Sequence, residues 1–405
     1  MKSKRTINWW GPPRKISAQR EERKVSWLEL FYDLVYVIAV ANACHHLAEH
    51  QNWEGFLDYV YMFGMIYWGW LNGSLYHDLH GTPGVRTSLM TLWQMVIVTG
   101  LVVTLNSSGE QLVYNATIAV MIMQLYITYL WWSVGIYDKV HRVLNRPYTW
   151  IYLISFATLF ITLFTGEPYT RILFFISLLL NFLPPVATMM IRWKQTQEFS
   201  LSPSMTERMG LFTIIVFGEV ILGVVNGVSH LQAINLGMWI PFSLSIAIVF
   251  ALWWVFFGLI SDRSCKKGML FSFLTELTYI PTLMGLGMTA VAFDGLFGYF
   301  HHHDPDQTIS FPAGFNAAIS LFLTGIFIML FFLEYPPRFK QLKSKIQLLV
   351  AVAASLLLTC ILFLSHWSLV TLLTVDLLIL LVLILSVALS TLFISNEDEE
   401  AGSHE

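Results

Sequence analysis

The chain has 405 residues, of which 56% are hydrophobic and 12% are charged, and its mean hydropathy is +0.62. Because a soluble domain carries about 25% charged residues, this composition excludes a soluble enzyme. It predicts an all-α polytopic membrane protein whose main partner is the lipid bilayer. The net charge of −3 gives no indication of nucleic-acid binding.

Residues 1–25 are rich in Lys and Arg, and we expect this arm to lie in the cytoplasm near anionic lipid headgroups. Twelve apolar segments follow, so the sequence predicts about twelve transmembrane helices. Their predicted bounds are 26–48, 54–76, 86–106, 112–136, 148–165, 169–191, 206–228, 236–260, 268–293, 312–334, 345–365 and 367–394. The acidic tail, residues 395–405, is predicted to be cytoplasmic and disordered.

The positions of the Lys and Arg residues predict the orientation of the segments. If the N-terminus is inside, every one of the 23 basic residues except Arg171 falls on the inner side of the membrane. Cytoplasmic loops of membrane proteins carry such an excess of positive charge. The sequence therefore predicts an even number of crossings, with both termini in the cytoplasm.

The first segment, SWLELFYDLVYVIAVANACHHLA, carries two acidic residues in an apolar run. Glu29 and Asp33 are four residues apart and therefore lie on one face of a helix. A carboxylate inside hydrocarbon costs at least ~2.5 kcal/mol, so we expect both residues to face a partner or water.

Histidines cluster at the predicted outer face, after the first segment and after the ninth. They are candidates for a divalent metal site, but their spacing matches no metal-binding motif, so no metal is predicted. These residues are His45, His46, His301, His302 and His303.

The two halves of the chain resemble each other at an offset of about 180 residues. Leu30 and Phe31 in the first segment match Leu211 and Phe212 in the seventh, and the second and eighth segments both carry Trp-rich runs that end in Asp. Six crossings in each half give both halves the same orientation. We therefore predict two parallel six-helix repeats, residues 26–192 and residues 206–394.

Further polar residues of the apolar segments extend the match between the halves. Glu219 lies near the middle of the seventh segment, and Gln94 in the third segment corresponds to Glu276 in the ninth. If the first and seventh helices meet at the pseudo-axis, their carboxylates would line one cavity and bind a small cation or a proton. The alternative is that each residue joins neighbouring helices by hydrogen bonds. The predicted ion or solute path comprises Asp33, Glu219, Glu29, Glu276 and Gln94.

Four charged residues are predicted at helix ends or at the membrane interface. Asp78 and Asp262 follow the two Trp-rich runs, where they would cap a helix or bind loop backbone. Glu207 and Arg208 lie at the cytoplasmic start of the seventh segment. Asp376, in the last segment, is a further acid within the membrane.

The run WLELFYDLVYVIAV, followed by His45 and His46, and the run ERMGLFTIIVFGEVILGV resemble the bacterial low temperature requirement A (LtrA) family over about residues 20–395. The resemblance implies an integral inner-membrane protein linked to growth in the cold. Residues 31–33 also resemble, more faintly, the Phe-Ser-Asp motif of the endosomal and lysosomal potassium channel family, whose first helix lines the pore. Tyr32 replaces the Ser here, and residues 212–214 of the second repeat lack the Asp.

These features predict a transporter or channel for a small ion or solute that uses carboxylates within the membrane. Two alternatives stay open: a regulatory or scaffold membrane protein in cold adaptation, and a membrane-embedded lipid-modifying enzyme. The enzyme would use His77, Asp78, His80 and Asp262. The sequence contains neither a Gly-rich phosphate loop nor a GxSxG motif, so neither catalytic residues nor cofactors are predicted, and it leaves the oligomeric state open.

Overall fold

A computed structural model of the chain describes residues 13–14, 25–82, 84–105, 112–139, 142–229, 236–261, 263–301, 311–335 and 340–402. These residues form helices and no named strand. The helices are α1 (Trp27–Glu49), α2 (Trp53–His80), α3 (Val85–Leu105), α4 (Leu112–Tyr137), α5 (Arg142–Thr162), α6 (Tyr169–Phe182), α7 (Pro184–Thr196), α8 (Pro203–Ser229), α9 (Trp239–Phe256), α10 (Met269–His301), α11 (Phe311–Phe332), α12 (Lys340–Cys360) and α13 (Leu369–Gly402).

The helices confirm an all-α polytopic membrane protein. In the described part of the chain, ten helical stretches are long and apolar enough to cross a bilayer, and α6 and α7 together form one of them, Tyr169–Thr196. Helices α2 and α5 also match predicted segments but lie outside this set. α2 carries many Trp, Tyr and His residues, and α5 begins with two Arg residues in its first five positions, which lowers the hydropathy of both helices.

The break in the sixth predicted segment follows from proline. α6 ends at Phe182 and α7 begins at Pro184. Pro184 and Pro185 have no backbone N–H and cannot donate the helical hydrogen bonds at these positions, although Leu183 itself keeps helical dihedral angles (φ −79°, ψ −29°). The segment therefore consists of two shorter helices.

The acidic tail differs from the prediction. α13 continues to Gly402, so residues 395–402 are helical, although their charge predicts disorder. Glu and Ala are strong helix formers, and neither Pro nor Gly interrupts the chain between Leu369 and Ala401. Helix propensity, which the compositional argument ignored, decides the structure of this end of the helix.

The chain forms two compact units. Unit 1 comprises Met1–His46, Leu57–Phe212 and Lys267–Phe273, and unit 2 comprises Leu47–Phe56, Thr213–Lys266 and Leu274–Glu405. The main boundary between them lies within α8, whereas the predicted repeats meet between residues 192 and 206. The repeat relationship stays a prediction.

Buried aromatic side chains and close packing at glycine are found in the cores of both units. In unit 1, bulky aromatic side chains such as Trp68, Trp70 and Tyr152 are fully buried together with polar groups. In unit 2, small residues allow helices to approach closely, as where Gly223 of α8 lies against the Ala290 carbonyl of α10 so that a Cβ would overlap its oxygen. The polar core of unit 1 contains the candidate site.

Candidate functional site

The site begins with the first turn of α1, which is a capping box. The backbone N and the Oγ of Ser26 each donate a hydrogen bond to Glu29 Oε2, both at 2.9 Å, and the Glu29 backbone N donates to Ser26 Oγ at 3.3 Å. These bonds satisfy helix-terminal N–H groups and place a negative charge at the positive end of the helix. The Ser-x-x-Glu spacing that marks this motif is visible in the sequence.

One turn later, the Asp33 carboxylate receives three hydrogen bonds from other helices of unit 1. Arg208 Nη2 of α8 and Trp70 Nε1 of α2 donate to Oδ1 at 2.5 and 2.7 Å, and Arg208 Nε donates to Oδ2 at 3.3 Å. The side chains of Asp33 and Arg208 are both 0% exposed. Two guanidinium N–H groups on two carboxylate oxygens form a bidentate ion pair, which is the strong geometry for such a pair.

Glu29 contacts the same guanidinium. Its Oε1 lies 3.7 Å from Arg208 Nη1, so one arginine lies between two carboxylates that are four residues apart on α1. This geometry confirms that Glu29 and Asp33 share a face of the helix. Arg208 is therefore a buried ion-pair partner near the start of α8, and its depth relative to the membrane interface stays a prediction.

Aromatic rings surround this ion pair. The Arg208 guanidinium carbon lies 5.5 Å from the ring centroid of Tyr32 and 6.0 Å from that of Trp70. Both distances are within the range of cation–π attraction. The Trp70 ring in turn packs on Phe212 with 4.4 Å between centroids. The aromatic surroundings exclude water and partly compensate the burial of the cation.

Gln94 lies in the adjoining part of the core. Its Nε2 donates hydrogen bonds to the Tyr36 hydroxyl at 2.8 Å and to the Gly69 carbonyl at 3.1 Å. Its Oε1 has no hydrogen-bond partner among the described residues. Gly73 makes this packing possible, because a Cβ there would overlap both the Tyr32 hydroxyl and the Gln94 amide. Gln94 is thus joined to the Asp33 site through α1 and α2.

Unit 1 contains a second buried polar group that is not among the predicted site residues. Asn72 Oδ1 accepts hydrogen bonds from the Tyr152 hydroxyl at 2.7 Å and from Trp131 Nε1 at 3.0 Å. Asn181 Nδ2 donates to Gln124 Oε1 at 2.9 Å. A signal was present, since an uncharged amide within a Trp-rich run, as in WGWLNG, often needs an indole or hydroxyl partner when buried.

Asp78 fixes the start of the helix that carries Arg208. The hydroxyls of Ser202 and Ser204 donate to its two carboxylate oxygens at 2.7 and 2.9 Å, and Ser202 Oγ also accepts the Met205 backbone N–H at 3.0 Å as an N-cap. Arg14 donates to the Asp78 carbonyl at 2.6 Å. Asp78 therefore joins the end of α2 to the beginning of α8.

A family model described as bacterial low temperature requirement A protein (LtrA) matches residues 24–389, which is nearly the whole chain. The chain belongs to the LtrA family. Among curated proteins, "Uncharacterized protein RA0937" of Rhizobium meliloti (strain 1021) is 23% identical over 290 residues, covering 68% of this chain and 70% of that protein. No solved structure matches. The family match confirms the predicted resemblance and contains both partners of the buried ion pair.

The remaining helix-end residues of this LtrA-family chain are less informative. Glu207 is exposed, and Asp262 lies outside the described residues. The imidazoles proposed for an enzyme make structural contacts, because His77 Nε2 lies 2.9 Å from Thr91 Oγ1 and His80 Nδ1 lies 2.8 Å from the Arg14 carbonyl oxygen.

The histidines predicted to face outward form no metal site in the part of the chain that is described. His45 is exposed and His46 is half-buried at the end of α1. No group of three or more His, Cys, Asp or Glu side chains suits a metal ion among the described residues. His302 and His303 lie outside those residues, as does the side chain of His301.

Unit 2 contains the other predicted path residues. Glu219 is half-buried on α8 and Glu276 is buried on α10, and each has a polar or electrostatic contact. Their convergence with Asp33 stays a prediction. Asp376 on α13 is fully buried, and neither of its oxygens has a hydrogen-bond partner among the described residues.

Proposed function

We propose that this LtrA-family protein transports a small ion or solute across the bacterial inner membrane along a path that α1 and α8 border. One observation carries the proposal: the ion pair between Asp33 and Arg208 is fully buried on helices apolar enough to cross a bilayer. Charged residues are expensive in such positions, and in membrane proteins they mark ion pathways and proton relays. The positive-inside charge distribution supports cytoplasmic termini.

In the proposed cycle, a cation or proton that reaches Asp33 takes the place of Arg208. The Arg208 guanidinium then keeps Glu29 as a partner, because that carboxylate already lies 3.7 Å from Nη1. Electrostatic attraction is strong in a medium of low dielectric constant, so exchange of the partner of Asp33 would shift the start of α8 relative to α1. Ion binding and helix movement are coupled in this way.

The other predicted path residues extend the route on either side. Gln94 contributes an amide oxygen without a described partner, which suits a dehydrated cation. Glu219 lies eleven residues after Arg208 on the same helix, about three turns further along α8. We propose that Glu219 and Glu276 receive the ion after it leaves Asp33.

Flux measurements in proteoliposomes test the function. The purified chain is screened for movement of monovalent and divalent cations, protons and anions, and the conducting species is then measured for Asp33→Asn and Glu219→Gln. We expect each substitution to lower the flux at least about tenfold, which corresponds to ~1.4 kcal/mol on the barrier. Asp376→Asn is the matched control, since it neutralises a buried acid outside the proposed path.

Two results would contradict transport. One is a chain that is folded in liposomes and moves none of the tested species. The other is flux that stays at the level of the unsubstituted chain in both Asp33→Asn and Glu219→Gln, with Asp376→Asn unchanged. Thermal unfolding in detergent, measured for each variant, separates loss of flux from loss of the fold.

A regulatory or scaffold role in cold adaptation is the second candidate. It is favoured by the three hydrogen bonds that Asp33 accepts, because such a pair also serves to join helices. A strain without the gene distinguishes the two functions. If Asp33→Asn abolishes flux yet restores growth in the cold as well as the unsubstituted chain does, the cold phenotype depends on regulation and not on transport.

A further inference from the structure

Two inner loops of unit 2 are held together by a short antiparallel bridge. Cys265 pairs with Leu333, the Lys266 backbone N donates to the Phe332 carbonyl at 2.9 Å, and the Glu334 backbone N donates to the Ser264 carbonyl at 2.9 Å. The bridge joins the loop after α9 to the end of α11. Side chains on both loops consequently have fixed positions relative to one another.

Two cations lie against one tyrosine beside this bridge. The Arg263 guanidinium carbon lies 4.0 Å from the ring centroid of Tyr335, and Lys343 Nζ at the start of α12 lies 5.3 Å from the same centroid. Tyr335 is half-buried, and Tyr is enriched where membrane helices meet the headgroup region. The Tyr335 ring therefore holds the charges of Arg263 and Lys343 near one another, between the end of α11 and the start of α12.

A third cation approaches the same helix end. Lys266 Nζ donates to the Phe331 carbonyl at 2.8 Å, and Lys343 Nζ donates to the Leu333 carbonyl at 3.3 Å. Both ammonium groups thus lie at the negative end of the α11 dipole. The carbonyl contacts orient the lysines and supply only partial negative charge.

The cluster has more positive than negative charge. Among the described residues, neither Arg263 nor Lys343 forms an ion pair with a carboxylate, and Glu334 in the same bridge is exposed. Like charges held close together are unfavourable unless an anion joins them. The charge distribution of the chain assigns this end of the helices to the cytoplasmic leaflet, where anionic lipids attract basic residues.

We propose that Arg263, Lys266 and Lys343 bind the phosphate headgroup of an anionic phospholipid in the cytoplasmic leaflet. The guanidinium provides a planar pair of N–H donors for phosphate oxygens, and the two ammonium groups act as point charges. Tyr335 holds the cations at the depth of the headgroups. The lipid site belongs to unit 2 and is independent of the buried ion pair of unit 1.

Lipid titration of the full chain tests this site. The purified protein in detergent is titrated with fluorescent phosphatidylglycerol and with phosphatidylcholine of the same chain length. Since each basic residue near an anionic membrane surface contributes roughly a fivefold change in affinity, we expect the double variant Arg263→Gln, Lys343→Gln to bind phosphatidylglycerol about 25-fold more weakly. The charge-preserving variant Arg263→Lys, Lys343→Arg should retain most of the affinity, and phosphatidylcholine should bind equally weakly to all variants.

Lys194→Gln is the matched control, because Lys194 is an exposed cation on the predicted inner side in unit 1. Equal phosphatidylglycerol affinities for the double Gln variant and for Lys194→Gln would overturn the proposal. Displacement of phosphatidylglycerol by inorganic phosphate at an equal concentration would also overturn it, because the ligand would then be free phosphate. A double variant that loses thermal stability but keeps its lipid affinity would also overturn the proposal, because Arg263 and Lys343 would then have a structural role only.

Discussion

Asp33 in unit 1 and Asp376 in unit 2 are both 0% exposed on helices that are apolar enough to cross a bilayer, yet their surroundings differ. Asp33 accepts hydrogen bonds from the Arg208 guanidinium and the Trp70 indole. The two oxygens of Asp376 accept none from the described residues. Burial alone therefore does not determine the role of an acidic residue within the membrane. Its role depends on the hydrogen-bond and ion-pair partners around it.

The difference has an energetic consequence. Removing the ion-pair partner of a buried carboxylate strongly lowers the free energy of unfolding, since an uncompensated charge is left in the interior. A buried carboxyl without partners already bears the desolvation penalty, so conservative replacement changes little. Substitutions in the two units should thus have very different effects on the free energy of unfolding.

The largest effect is expected from Arg208→Met. It keeps the apolar stem but removes the cation between Asp33 and Glu29, and we expect a loss of about 3–5 kcal/mol in the free energy of unfolding. Denaturant unfolding in mixed micelles measures this loss. The double variant Arg208→Met, Asp33→Leu should recover a large part of it, because both charges are then gone. If Arg208→Met loses no more stability than the exposed Lys194→Gln, the buried ion pair does not stabilise unit 1, and the contrast between Asp33 and Asp376 is wrong.

Trp70→Phe should have the next largest effect. The ring is kept, so packing on Phe212 survives, but the indole N–H that donates to Asp33 Oδ1 is lost. A hydrogen bond to a charged group contributes about 1.5–3 kcal/mol, which should appear in the same unfolding measurement. Trp68→Phe is the matched control, because its Nε1 donates to the neutral Tyr152 hydroxyl at 3.3 Å. Equal losses for the two variants would show that the charge of Asp33 is irrelevant to this bond.

The partner of Asp33 shows where prediction from sequence reached its limit. The apolar segments, and the shared face of Glu29 and Asp33, follow from local periodicity and were predictable. The pairing with Arg208 joins residues 175 positions apart, which local patterns do not address. The positions of the two charged residues along their helices do indicate the pairing. Asp33 is six residues into α1 and Arg208 is five residues into α8, so each lies about 8–9 Å from the start of its helix. If both helices enter the membrane from the same side, the two charges lie at the same depth.

Trp70 and the acidic tail illustrate two further reasons for missed features. Tryptophans of a membrane protein are usually assigned to the headgroup interface, so the role of the Trp70 indole as a donor in the core was not considered. The helix that continues to Gly402 depended on local propensity, which the charge of residues 395–402 obscured. In both cases a general rule, on tryptophan in membranes for one and on charged composition for the other, displaced a local chemical argument.

The smallest effect is expected from Asp376→Asn, and it decides whether the comparison holds. The amide has the shape of the carboxyl and enters the same apolar surroundings, so we expect the free energy of unfolding to change by less than about 1 kcal/mol. Asp33→Asn, with the same change of atoms, leaves Arg208 with a neutral partner and should lose more than Asp376→Asn in the same assay. If Asp376→Asn is as harmful as Arg208→Met, the contrast between the two acids fails, because removal of an ion-pair partner would then cost no more than a conservative replacement of a carboxyl without one.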